Sequence, residues 1–426
     1  MSVADLLPAW LGRQRWYAGG APASVTVAAE EELAPGLRWL LVEADGAAYQ
    51  VMVGLRPGDE HPEFLQGRDL EVLGHTDGQL AFDALADPDL ARALLERVVP
   101  GEEVHLVRPV GAEQSNTSLV FDDRLILKVF RRLHEGANPD IEVTAALAAT
   151  GFDHVAEPLG VWRHDGTDLA VCTPYLAGGA EGWALALTSL RDLYATACED
   201  PAECGGDFAA EARRLGEVTA RMHLALAEAF GTEPGDPDRW ASGLEVQLAR
   251  LPAGTVAADA TKRFLACLQD VGPAGAGVSV RVHGDYHLGQ VMRTDAGWFV
   301  LDFEGEPARP LAQRRLTSSP LKDVGGMLRS FDYAARFALR ERDEAEREAH
   351  RERADAWEAR NRVAFLRGYE GTEGIDALLP PAGSDRATVL AAFELDKAAY
   401  EVLYELAHRP EWVDIPTAAV FRLLGG

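Results

Sequence analysis

The sequence predicts an α+β protein in three consecutive parts, and three observations carry that expectation. Residues 1–98 mix short helical and strand signals, residues 99–178 are strand-rich with one helix, and residues 179–426 are dominated by helical periodicity. At 426 residues, with 47% apolar side chains, the chain is too long for one hydrophobic core and has the material to fill two or three.

The first part opens with a helix or turn at Trp10-Leu11-Gly12-Arg13-Gln14-Arg15-Trp16-Tyr17. Two apolar runs, residues 38–43 and 49–54, flank Asp45-Gly46, a pair suited to a tight hairpin because both residues tolerate positive φ. A short helix is expected over Leu90 to Arg97, and Pro100-Gly101 follows it as a boundary. The second part reads as strand, turn and strand: Leu119-Val120-Phe121, Asp122-Asp123, then Leu125 to Phe130. A helix near Ile141 to Ala149 comes next, then a strand over Val171 to Leu176 stopped by Gly178-Gly179. In the third part Phe208, Leu215, Val218, Met222 and Leu226 recur at helical spacing, and residues 340–360, charged in both signs, read as a long solvated helix. Only Val278 to Glu304 returns to strand and loop character there, and a loop island in a helical scaffold is where functional side chains are expected.

Composition removes several classes of function. Cys172, Cys198, Cys204 and Cys267 show no CxxC or CxxH spacing, which argues against a disulfide framework and a zinc site. With 41 basic and 68 acidic residues, the formal charge of −27 repels nucleic acid and anionic membranes. The longest apolar runs fall short of a spanning helix and the N-terminus lacks the order of a signal peptide, so a soluble, cytoplasmic protein with no membrane partner is expected.

The chemistry concentrates in His283-Gly284-Asp285-Tyr286-His287-Leu288-Gly289-Gln290 and in Leu301-Asp302-Phe303-Glu304. Phosphoryl transfer to an alcohol needs a carboxylate for the hydroxyl, hard oxygen ligands for magnesium, and positive charge on the nucleotide. Asp285 at a strand-end loop suits the first role; Gln290 and Asp302 suit the second. Glu304 follows Asp302 by two residues, on the same side if the strand continues, where it reaches a second ion or the substrate. His283 and His287 lack the companions of a metal cluster. Upstream, Lys128 on a strand and Glu142 near a helix start form a pair able to hold an ammonium toward phosphates. The loop containing Ser115, Asn116 and Thr117 has a single glycine, so amides and hydroxyls cover the phosphates there. No GxxxxGK[ST] occurs, which disfavours a P-loop enzyme.

These residues resemble the aminoglycoside-phosphotransferase-like branch of the protein-kinase-like fold, and within it the maltokinases and actinobacterial glucosamine kinases. The resemblance is carried by Arg13 to Tyr17, Gln114 to Ser118, Asn138 to Glu142, His283 to Gln290, Leu301 to Pro307, Lys322 to Tyr333 and Tyr400 to Glu405. It implies a bilobal fold with an N-terminal α+β cap domain (1–98), an intermediate nucleotide-binding lobe (99–178) and a helical C-terminal lobe (179–426). It further implies a hinge over Thr173, Tyr175 and Leu176 that contacts ATP, Asp285 as catalytic base, Gln290 and Asp302 as Mg2+ ligands, and Lys128 with Glu142 as the phosphate-positioning pair. Many aminoglycoside kinases carry Asn at the position of Gln290, which offers the same oxygen on a longer arm.

For the acceptor, Tyr400 with Tyr404 and Glu401 with Glu405 are spaced four apart and form aromatic and acidic stripes on a helix, with Trp412 beyond it. A sugar site of Asp285, His287, Glu304, Tyr400, Tyr404, Glu405 and Trp412 follows. The acidic chain favours glucosamine, giving glucosamine 6-phosphate, with maltose and then an aminoglycoside as alternatives. A pseudokinase would have lost one of Lys128, Asp285, Gln290 or Asp302, and all are present.

Overall fold

The computed structural model describes residues 2–17, 20–58, 62–111, 116–196, 200–203, 206–306 and 311–425. The chain forms two compact units, one of Met1–Ala145 and Ala156–Ala177, the other of Ala146–Val155 and Gly178–Gly426.

In the first unit α1 (Val3–Leu11) precedes β1 (Val25–Ala34), β2 (Leu37–Ala44), β3 (Ala47–Pro57), β4 (Val72–Thr76), β5 (Gln79–Asp83) and α2 (Pro88–Val98). The strands make a sheet in the order β1-β2-β3-β5-β4. Asp45 and Gly46 have φ of 49° and 79°, as a two-residue turn between right-twisted strands requires, and Ala44 pairs with Ala47 across them. Helix α2 starts where Asp87 accepts the N–H of Asp89 and Pro88 occupies the first turn.

A second sheet follows from β6 (Val107–Pro109), β7 (Asn116–Phe121) and β8 (Leu125–Phe130); β9 (Arg132–Leu133) and α3 (Pro139–Ala149) then lead to β10 (Gly160–His164) and β11 (Thr167–Pro174). Its order is β10-β11-β8-β7-β6, while β9 pairs with β3 of the first sheet. The chain therefore runs from β8 into the other sheet within two residues. Trp39, Met52, Phe82 and Leu94 pack in one core with Phe121, Leu127, Val129 and Trp162. The expected division between residues 98 and 99 is thus not a gap in the hydrophobic core. Buried Gln50 of β3 reinforces the join, donating to the carbonyls of Phe130 and Leu169, each at 2.5 Å. So does buried Arg131, which pairs with Asp83, donates to Thr117 Oγ1 at 2.9 Å and lies over the Trp16 ring.

The second unit holds β12 (Ala180–Glu181), α4 (Gly182–Ala195), α5 (Ala209–Phe230), β13 (Thr232–Pro234), α6 (Pro237–Ala249), α7 (Ala258–Asp270), α8 (Gly272–Gly275) and β14 (Val278–Val280). It continues with β15 (Val291–Thr294), β16 (Gly297–Val300), α9 (Leu311–Arg314), α10 (Leu321–Arg340), α11 (Glu344–Glu370), α12 (Ser384–His408) and α13 (Asp414–Leu423). The charged stretch at 340–360 lies mostly in one long, largely exposed helix: α10 ends at Arg340, Asp343 caps α11, and within the stretch α11 buries Ala354 and Trp357, with Asn361, Phe365 and Tyr369 buried beyond it. Glycines permit that burial: a Cβ on Gly216 of α5 would stand 2.1 Å from the Phe365 carbonyl oxygen, and one on Gly368 2.0 Å from that of Arg213.

Candidate active site

Strand β14 delivers the chain to a loop at 281–290, and the β15–β16 hairpin delivers it to Asp302. His283 joins the two segments: its Nε2 donates to the Leu301 carbonyl at 2.8 Å, and its Nδ1 receives the Asp285 N–H at 3.4 Å. Beneath the loop, the Asp323 carboxylate of α10 accepts the N–H groups of His283 and Gly284 at 2.7 and 2.9 Å. His223 Nε2 lies 3.1 Å from the same carboxylate, and the Tyr286 hydroxyl meets Thr219 at 2.9 Å. A Cβ on Gly326 would fall 2.6 Å from the Tyr286 carbonyl oxygen, so the glycine lets α10 reach the loop. In the sequence Asp323 has no role beyond its place in the block Lys322 to Tyr333, and His223 is not singled out, because their partners lie 40 and 100 residues away.

Asp285 is mostly buried, and Lys397 of α12 donates to its Oδ1 at 2.6 Å. Burial opposes ionisation, yet Lys397, with His287 and His283 beside it, holds the carboxyl well below the usual carboxylate range. Burial would lower Lys397 in turn, but Asp285 and Glu306 raise it above an ordinary lysine. His287 accepts the Gly289 N–H on Nδ1 at 3.0 Å, and its Nε2 lies 3.9 Å from Asp285 Oδ2. Burial lowers its pKa to about 4, so the imidazole is neutral at pH 7. A small cleft opens here, lined among others by Asp285, Glu306, Lys322, Asp396 and Lys397. Neither Lys397 nor Glu306 was in the expected site. The one signal for Lys397 is a cation next to the apolar pair Ala398-Ala399.

Gln290 Nε2 lies 3.1 Å from Asp302 Oδ2, which brings two expected ligands together. Strand β16 ends at Val300, before Asp302, and Asp302 has φ of 64°. With Gly305 at φ 70°, the chain turns here, so the strand does not continue and Glu304 is not placed beside Asp302 by strand alternation.

In the first unit Lys128 of β8 has the Asp140 carboxylate at 3.7 Å. Asp140 and Glu142 both stand in the first turn of α3, so Asp140 joins the expected Glu142 there. Asn116 and Thr117 open β7, and the Thr117 hydroxyl receives Arg131. Ser115 lies outside the described residues. Thr173 is near the end of β11, the Tyr175 N–H donates to Arg124 at 2.7 Å, and Leu176 follows just before the end of this unit.

The expected acceptor residues do not all converge. Tyr400 is half-buried with the Lys397 ammonium 4.8 Å from its ring centre. Tyr404 is exposed and stacks on His408. Glu405 is buried and accepts from Tyr333 at 2.8 Å and from Arg409 at 2.7 Å. Trp412 stacks on Phe337 at 4.9 Å under Arg340. Among the described residues, those lining the small cleft at Asp285 include Asp285 itself but not His287, Glu304, Tyr400, Tyr404, Glu405 or Trp412.

A mostly buried aspartate on a braced loop, followed by a hairpin whose two ends bring Gln290 and Asp302 together, is the arrangement of a phosphotransferase of the kinase type. Residues 106–366 match the model of the phosphotransferase enzyme family, and the chain belongs to that family, whose members use a nucleotide as co-substrate. Residues 10–87 match the maltokinase N-terminal cap domain. The chain is 29% identical over 361 residues to a glucosamine kinase of Streptacidiphilus jiangxiensis, covering 80% of this chain and 78% of that one. It is 29% identical over 331 residues to a glucosamine kinase of Mycolicibacterium smegmatis, covering 74% and 79%. Among solved structures, a glucosamine kinase in crystal form B aligns with a TM-score of 0.67 at 25% identity, covering 99% of each chain. A glucosamine kinase in complex with glucosamine, ADP and inorganic phosphate aligns at 0.65 and 23%, covering 100% of this chain and 99% of that one. No helix among the described residues is long and apolar enough to cross a membrane.

Proposed function

We propose that the protein is a cytoplasmic, ATP- and magnesium-dependent kinase that phosphorylates glucosamine, giving glucosamine 6-phosphate. The observation that carries the acceptor is the likeness, over most of the chain, to relatives of the same family named glucosamine kinase. Around the small cleft at Asp285 the carboxylates of Asp285, Glu306 and Asp396 outnumber the ammonium groups of Lys322 and Lys397, a balance compatible with an amino sugar nearby.

In this reading Asp285 accepts the proton of the sugar hydroxyl, and its depressed pKa keeps it ionised across the neutral range. Lys128, Asp140 and Glu142 orient the nucleotide phosphates. The residues present fit a hard cation: Asp302 supplies a carboxylate, and turning over the Gln290 amide brings its oxygen to the same point. A magnesium ion held there neutralises charge on the phosphates during transfer. The match to a maltokinase cap favours a second reading, phosphorylation of maltose to maltose 1-phosphate.

An ATP-consumption assay with magnesium across glucosamine, glucose, maltose and an aminoglycoside separates these. Turnover of glucosamine is expected; turnover of maltose alone would establish the second reading. Asp285→Asn abolishes transfer and leaves ATP affinity within about threefold, since the base touches the hydroxyl rather than the nucleotide.

A further inference from the structure

A base for an incoming hydroxyl has to present one oxygen along a defined direction, and a carboxylate on a loop is free to turn about two bonds. Asp285 is not free to do so. Its Oδ1 receives the Lys397 ammonium at 2.6 Å, while its Oδ2 lies 3.9 Å from His287 Nε2. Lys397 is itself held: it comes from the 25-residue helix α12, next to fully buried Ala398 and Ala399. Its ammonium lies 4.8 Å from the Tyr400 ring centre and 4.0 Å from Glu306 Oε1. The Lys397 and Asp285 side chains are 14% and 16% exposed, so water competes little for the contact.

We propose that Lys397 is a positioning residue for phosphoryl transfer: it clamps Oδ1 of Asp285, so that Oδ2 is the oxygen turned to the acceptor hydroxyl. The hydroxyl proton then passes to Oδ2 while the acceptor oxygen bonds to the γ-phosphorus and the bond from phosphorus to ADP breaks. Lys397 loses no proton and touches neither the phosphate nor the nucleotide in this step. The alternative, an ion pair that only stabilises α12 against the loop, fits the burial equally well but predicts no effect on turnover in folded protein. The proposal rests on the kinase reading with Asp285 as base and not on the identity of the sugar.

The test compares wild type with Lys397→Ala, Lys397→Met and Lys397→Arg on whichever sugar wild type turns over, with rates normalised to the ATP-binding fraction so that misfolded protein does not count. Positioning predicts that kcat falls about 100-fold in the Ala and Met variants, with KM for ATP and for the sugar within about threefold, and that Arg recovers part of the loss. Added methylammonium restores kcat of Lys397→Ala in a saturable manner and leaves Lys397→Met and Asp285→Asn unchanged, because only the Ala variant leaves space beside Oδ1. Retention of kcat within about threefold in Lys397→Met would overturn the proposal, as would a loss carried by the sugar KM alone or the absence of amine rescue. Wild-type inactivity toward all four sugars would instead overturn the kinase reading itself.

Discussion

His223 and Asp323 form a fully buried pair, Nε2 to Oδ2 at 3.1 Å, and that carboxylate is the platform of the loop that carries Asp285. Because Nε2 donates to Asp323, Nδ1 is left to accept the Tyr369 hydroxyl at 2.8 Å. The chain Tyr369, His223, Asp323 and the His283 and Gly284 amides therefore ties α11, α5 and α10 to the loop. Asp323→Ala would leave one buried and one half-buried amide and an imidazole without their acceptor. A loss of about 3–5 kcal/mol in urea unfolding is expected, together with loss of turnover. Unchanged unfolding in that variant would show that the platform does not support the loop.

A second charged centre contributes to the acid dependence of stability. Asp332 is 3% exposed, and Arg336 and Arg422 lie 3.2 and 2.9 Å from it, with Arg329 closer still. Burial opposes its charge, but Arg329, Arg422 and Arg336 outweigh this and bring its pKa down to about 2. An unfolded aspartate titrates at about 4, so the folded form binds its proton less readily. The stabilisation is complete above pH 4 and is lost as the pH falls toward 2. Asp332→Asn should lower stability at pH 6 by roughly 2–3 kcal/mol and flatten the acid slope of unfolding free energy in that window. An unchanged slope would remove Asp332 as its source.

The two glutamates of the α12 stripe illustrate what sequence could and could not reveal. Periodicity put Glu401 and Glu405 on one helical face, and that much needs only the 3.6-residue repeat. Whether the face meets a ligand depends on partners remote in sequence: Arg329 takes Glu401 at 2.7 Å and Tyr333 takes Glu405 at 2.8 Å, each 72 residues away. Glu405→Ala should therefore cost about 1–3 kcal/mol by stranding Tyr333 and Arg409, and leave the sugar KM within about twofold. Tyr404→Ala, at an exposed position, should change stability by no more than about 0.5 kcal/mol. A tenfold rise in sugar KM for Glu405→Ala would return that residue to the acceptor site.

The same contrast runs through the rest of the molecule. The Asp45-Gly46 hairpin, the strands at 119–121 and 125–130 and the loop island at 281–290 were legible because local residue chemistry fixes each. The shared core of the first 98 residues and the following sheet was not, because it depends on Gln50 and Arg131 reaching groups far along the chain. Lys397 escaped for a similar reason: its role appears only when its partner Asp285, 112 residues earlier, is in place.

Asp302 gives the sharpest separation of folding from chemistry. It has φ of 64°, a conformation that costs an ordinary side chain about 1 kcal/mol and that Asn and Asp tolerate better than most. Asp302→Asn keeps that tolerance and loses the charge; Asp302→Ala loses both. Both variants should lose at least about 100-fold in turnover and require more magnesium, since one anionic oxygen donor is gone. Only the Ala variant should also lose stability, by about 1 kcal/mol in urea unfolding. If the two unfold alike while both are inactive, the left-handed backbone at Asp302 contributes nothing to its residue preference. If Asp302→Asn retains full turnover at low magnesium, the oxygen pair with Gln290 is not the metal site.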